Sequence, residues 1–141
     1  MAFWLFKTEP GSFSWEDQLK ADPKGEEWSG VRNALAQKHM RAMKLGDLGF
    51  FYHSVDEKCI VGVVRVVAEI HPDSTDPIGR WNCVDIRAVG PFPRPVTLGE
   101  IKAEPRLGDM ALVKNSRLSV QPVTPEEWAL VCRMGGYKPE A

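Results

Sequence analysis

Apolar positions gather first at Phe3-Trp4-Leu5-Phe6-Lys7, a short run closed by Thr8-Glu9-Pro10 that predicts an opening strand. Ser14 with Asp17 three positions on predicts a capped short helix over 15–20, and Asp22-Pro23-Lys24-Gly25-Glu26-Glu27 predicts a loop. Asn33 is placed to cap a second helix over 34–44, which Gly46 ends. On it Leu35, His39, Ala42 and Met43 fall on one face, while Gln37, Lys38, Arg41 and Lys44 fall on another. From Asp47 the period changes to two. Leu48, Phe50 and Tyr52 alternate with Gly49, Phe51 and His53 in one strand, and a valine-rich strand over 60–71 follows. A strand over 81–89 sets Val84, Ile86 and Ala88 against Trp81, Cys83, Asp85 and Arg87. Pro91-Phe92-Pro93-Arg94-Pro95 predicts a break before a short helix over 98–103. A strand over 117–123 carries Arg117, Ser119 and Gln121 on one face. Thr124-Pro125-Glu126-Glu127 then starts a helix that runs to Met134, before Gly135-Gly136. Long strands interleaved with short helices, without strict strand–helix alternation, predict the α+β class and a small barrel.

The 141 residues suit one domain spanning 1–141, and 43% hydrophobic content provides for a real core. Mean hydropathy is -0.27, and no apolar run nears the ~20 residues of a spanning helix. The amino end lacks the basic region of a signal peptide. The three cysteines, Cys59, Cys83 and Cys132, are odd in number and widely spaced, which predicts reduced packing residues and a cytoplasmic location. A net charge of -1 excludes a binder that relies on bulk positive charge. Any contact with nucleic acid must come from a specific pocket and a local basic strip. Lys38, Arg41 and Lys44 offer such a strip, although a solvated helix face has the same pattern.

Catalytic and metal chemistry find little support. His53 and Ser54 are neighbours in a strand, so their side chains point to opposite faces and cannot pair. There is no Gly-x-Ser-x-Gly elbow, and the three histidines lack ligand spacing. No enzyme, metal or cofactor is expected. What repeats instead is aromatic residues beside hydrogen-bonding groups: 4–10, 28–33, 51–54, 81–87 and 117–123. That mixture suits a pocket that stacks a flat, polar-edged ligand such as a nucleobase. In Trp28-Ser29-Gly30-Val31-Arg32-Asn33, Gly30 permits a tight turn between a ring and a guanidinium. Equally, Trp28 could cover a core edge while Arg32 pairs with Asp47 or Asp85.

These stretches, with Ser14-Trp15, Met43-Lys44-Leu45-Gly46-Asp47, Tyr52-His53-Ser54, Val61-Gly62-Val63 and Arg117-Leu118-Ser119-Val120-Gln121-Pro122-Val123, resemble the EVE domain of the PUA-like superfamily, which also includes YTH and ASCH domains. The likeness runs in order along almost the whole chain and suggests a stand-alone bacterial member. It implies a PUA-like pseudo-barrel of mostly antiparallel strands with peripheral short helices. It also implies a non-catalytic module that receives a flipped, modified base, first a modified cytosine in DNA; the sequence leaves the oligomeric state open, with a monomer the favoured expectation. An RNA-binding protein acting on tRNA or rRNA comes second, and an enzyme of modified-nucleotide metabolism third. Carried over by motif, the lining comprises Trp4, Lys7, Trp15, Trp28, Val31, Arg32, Asn33, Tyr52, His53, Ser54, Arg117, Leu118 and Ser119. Lys38, Arg41 and Lys44 would contact the backbone. The family often has Asn after Tyr-His-Ser; Val55 stands here and offers no polar side chain.

Overall fold

In the computed structural model, which describes residues 2–21, 25–55 and 57–138, strands are interspersed with short helices. The elements are β1 (Phe3–Thr8), α1 (Trp15–Lys20), β2 (Glu26–Glu27), α2 (Ala34–Ala42), β3 (Leu48–His53), β4 (Cys59–Pro72) and β5 (Asn82–Thr97). After them come α3 (Leu98–Ala103), α4 (Ala111–Lys114), β6 (Val120–Val123) and α5 (Pro125–Gly135). One sheet takes the order β2-β5-β4-β3-β1-β6, antiparallel throughout except for the parallel β1–β3 pair. The class is α+β, as the strand and helix patterns predict. Residues from β2 and from the approach to β6 line one cleft, although these are opposite edges of the sheet. The sheet therefore curls on itself into a pseudo-barrel.

Period two in the strands divides the apolar residues between two layers. Trp4, Phe6, Phe51, Val64, Val84 and Ile86 join Trp15, Trp28 and Met40 in one. Leu5, Phe50, Tyr52, Ile60 and Val63 join Phe92, Ile101, Leu107, Trp128 and Val131 in the other. Two glycines make room for rings. A Cβ at Gly49 would lie 2.6 Å from the Phe6 ring, and one at Gly62 would lie 2.5 Å from the Trp15 ring.

Local signals fix the helix ends. Ser14, Thr97 and Thr124 each form a capping box, and Gly136, at φ 69, closes α5 in the left-handed conformation. Four sequence expectations need correction. The proline-rich segment does not end its strand: β5 runs to Thr97, and pairing jumps from Gly62–Pro91 to Ile60–Val96, so the intervening residues bulge out. Pro91, Pro93 and Pro95 stay exposed, where their missing N–H groups cost little, while Phe92 and Val96 are buried. Helix α2 stops at Ala42 and buries Ala36, Gln37 and Met40, leaving Leu35 exposed. Strand β6 begins only at Val120, because Leu118 N–H donates to the Asn115 carbonyl in a turn. Part of the loop expected at 22–27 pairs with β5 as β2, and residues 22–24 lie outside the described residues.

Candidate functional site

A cleft of about 560 Å³ opens between the end of β1 and the segment that follows β2. Lys7, Thr8, Glu9, Ser12 and Phe13 form one side, Glu26 to Arg32 the other, and Ser119 closes an end. Its apolar floor is Trp28 and Phe13. The Trp28 ring packs edge-on against Phe6, Phe13 and Phe51 at centroid distances of 5.4, 6.0 and 5.7 Å. Only 7% of Trp28 is exposed, so it is a core residue that shows an edge to the cleft.

The far wall is held by a residue that the sequence motifs did not single out. Gly30, at φ 79, turns the chain, and its N–H donates to Asp73 Oδ2 at 2.8 Å. Arg32 donates to the same oxygen at 3.1 Å, and Thr75 donates to Oδ1 through its N–H at 2.8 Å and its hydroxyl at 2.6 Å. Burial of Asp73 pushes its carboxyl upward, but these hydrogen bonds outweigh it and hold the group at about 2. Gln37 fixes the other end of the wall, donating to Val31 O at 3.0 Å and Asn82 O at 2.8 Å and accepting from Asn82 N. Arg32 is thus already paired, and the cleft also holds Glu9, Glu26 and Glu27. Such a lining suits a ligand with a flat, weakly charged body better than a bare phosphate.

The expected lining does not meet in one place. Lys7, Trp28, Val31, Arg32 and Ser119 meet at the cleft. Trp4, Trp15 and Leu118 are buried in the same apolar layer as Trp28; the Trp4 indole N–H donates to Asp47 at 3.0 Å. Asn33 caps α2 through the Ala36 N–H, and Arg117 is exposed in the turn before β6. Tyr52 lies in the other layer, 2% exposed, so Trp28, Tyr52 and Ser54 do not share a pocket. Phe51, not Tyr52, points toward Trp28, because adjacent strand residues face opposite ways. Burial, with a smaller contribution from Cys59, pushes the Tyr52 phenol up to about 12. The Lys7 ammonium lies 5.6 Å from the Tyr52 ring centroid and donates to the Ser116 carbonyl, and burial lowers its pKa.

Both nitrogens of the buried His53 are engaged. Nε2 accepts from the Trp15 N–H at 3.0 Å, so Nδ1 carries the proton it donates to Glu57 at 2.9 Å. Ser54 donates to the Thr8 carbonyl at 3.1 Å. Lys38, Arg41 and Lys44 are exposed on and just after α2, apart from the cleft lining. The signal that could have revealed Asp73 is the turn-forming run Pro72-Asp73-Ser74-Thr75-Asp76-Pro77, where a short carboxylate reaches nearby N–H groups.

A curled, mostly antiparallel six-stranded sheet with short peripheral helices and a cleft beside β1 defines a PUA-like α+β domain. The fold is shared with the YTH domain of Zygosaccharomyces rouxii MRB1, solved with N6-methyladenosine RNA, at 17% identity and a TM-score of 0.60. Within that class the chain belongs to the EVE domain family, whose pattern it matches over residues 2–134. It is 37% identical to human thymocyte nuclear protein 1 over 96% of this chain and 75% of that protein. A crystal structure of an Agrobacterium tumefaciens protein is 52% identical, covering 99% of this chain and 100% of that one at a TM-score of 0.92. Human THYN1 in complex with DNA containing 5-methylcytosine is 35% identical, covering 99% and 100%, at a TM-score of 0.87.

Proposed function

We propose that this protein reads a modified base in nucleic acid without chemical turnover, taking a flipped 5-methylcytosine of DNA into the cleft beside Trp28. The observation that carries this reading is the cleft itself: an aromatic floor beneath a rim of peptide and hydroxyl groups, about 560 Å³ in volume. Support comes from human THYN1, whose crystallised chain shares the fold and is in complex with DNA containing 5-methylcytosine. Extruding a base costs a few kcal/mol, and stacking on an aromatic wall offsets about 1–3 kcal/mol of that. Trp28 shows only an edge, so Phe13 and the flat peptide groups of 29–31 carry much of the contact in this reading. The buried, unbridged cysteines fit a reducing, cytoplasmic setting.

Fluorescence anisotropy with duplexes carrying one 5-methylcytosine or one cytosine, and with matched single-stranded RNA, tests the proposal. Burying one methyl group contributes about 0.8 kcal/mol, so a preference of about fourfold for the methylated duplex is expected. Ser29→Trp, at an exposed position on the rim, fills the cleft without hollowing the core. It should abolish the preference while leaving Tm unchanged. A preference that survives Ser29→Trp sinks the cleft, and tighter binding to unmodified RNA sinks the DNA reading.

A further inference from the structure

We propose that Glu27, His71, Cys83 and Asp85 bind one divalent cation of the zinc class, on the sheet beside the cleft. Sheet register brings the four together. His71 of β4 is the cross-strand partner of Cys83 on β5, and Glu27 of β2 is the partner of Asp85 on β5. Cys83 and Asp85 are two apart on one strand and so face the same way. One potential ligand atom from each residue lies within 4.8 Å of all the others. His71 Nε2 is 2.7 Å from Asp85 Oδ1 and 3.9 Å from Cys83 Sγ. Zinc bonds of about 2.0–2.3 Å in a tetrahedron separate ligand atoms by about 3.3–3.8 Å. Closing the set therefore needs movements of about 1 Å from side chains that, apart from Cys83, are only partly buried.

The surroundings are those of a metal centre. His71 Nδ1 lies 3.0 Å from the Pro72 carbonyl, which can only accept, so this nitrogen carries a proton and directs Nε2 at Asp85 and Cys83. The Glu27 carboxylate is oriented by the Ser74 hydroxyl at 2.5 Å. A thiol, an imidazole and two carboxylates form a mixed set suited to Zn²⁺ rather than Mg²⁺ or Ca²⁺, which take oxygen ligands. In the metal-free chain Nε2, facing an Asp85 carboxylate oxygen at 2.7 Å, also carries a proton. On binding, that proton and the Cys83 thiol proton leave to solvent, and the neutral imidazole nitrogen and the thiolate take their places on the cation. The site would tie β2, two residues long, to β4 and β5, and Glu27 also lines the cleft.

Full-length protein stripped with a chelator and dialysed is titrated with Zn²⁺ against a chromophoric competitor, and separately with Co²⁺. One zinc per chain is expected, with thiolate-to-cobalt charge-transfer absorption and the strong visible bands of tetrahedral cobalt. Cys83→Ser should remove the charge-transfer band and weaken zinc binding more than about 100-fold, whereas Cys59→Ser and Cys132→Ser should keep both. Should Cys83→Ser fail to fold, His71→Gln, at a partly exposed position, must weaken zinc binding to a similar degree. The proposal is overturned if wild-type protein takes up no stoichiometric zinc, if the band survives Cys83→Ser, or if His71→Gln binds zinc unchanged.

Discussion

Trp28 shows how one side chain can belong to both core and cleft. Its charged and flexible neighbours, Glu26-Glu27 and Ser29-Gly30, suggest a ring on a rim whose removal would spare the fold. The structure instead presses three aromatic edges against it and leaves 7% of the residue exposed. Polar neighbours in sequence do not exclude burial, because the backbone N–H of Trp28 donates to the Val84 carbonyl and draws the ring beneath the sheet edge. Trp28→Ala should therefore cost about 3–5 kcal/mol of stability, as loss of a buried aromatic does. Urea unfolding checks this, and a loss below about 1 kcal/mol would return the ring to the rim. His53 teaches a related lesson. Its neighbour Ser54 invites a catalytic pairing, but the tautomer demanded by the Trp15 N–H makes His53 a brace between α1 and β3.

Among the elements, the segment linking β2 to α2 is ordered by contacts that come from far along the chain. It is fastened to the turn after β4 by Asp73 and to the start of β5 by Gln37. Gln37 explains why the buried face of α2 differs from the one expected. A polar residue reads as solvated, yet this one is 3% exposed and meets the peptide groups of Val31 and Asn82. Asp73 makes the fastening sensitive to pH. Its carboxyl sits at about 2 in the folded chain against an ordinary 3.8, so the charged form favours folding. That stabilisation is complete above 3.8 and is lost as pH falls through about 2; it amounts to about 2 kcal/mol. Asp73→Asn, which keeps an acceptor but no charge, should be less stable by about this much at neutral pH. The difference should close as pH falls below about 2. Unfolding midpoints of both proteins across that range test it, and a difference independent of pH would rule it out.

Over the whole molecule, a net charge of -1 leaves little for long-range attraction to a polyanion. If Lys38, Arg41 and Lys44 track a duplex, each phosphate contact adds about 0.9 to the slope of log affinity against log salt. The triple alanine variant should then lower the slope by nearly 3, about equally for methylated and unmethylated duplexes. An unchanged slope would leave the strip as a solvated helix face. On the proposed reading a preference for a methylated base arises in the cleft, and it should vary little with salt in either protein.

The sequence by itself determined the local structure and the class. The apolar, β-branched and aromatic runs of β1, β3 and β4, capping residues at Ser14, Asn33 and Thr124, and Gly136 at the end of α5 act over a few positions, where backbone sterics and hydrogen bonding decide. The motifs also marked Lys7, Trp28, Val31, Arg32 and Ser119, five residues that the cleft brings together. Which strand face meets which helices lay beyond it, since β3 is apolar on both sides and only the helices packed on each side part Phe51 from Phe50 and Tyr52. So did Arg32's partner, which is Asp73 rather than Asp47 or Asp85. The gathering of Glu27, His71, Cys83 and Asp85 likewise depends on the register of three strands. Tertiary structure decides such matters because register and curl are set by burial summed over the whole sheet, and no window of neighbouring residues contains that sum.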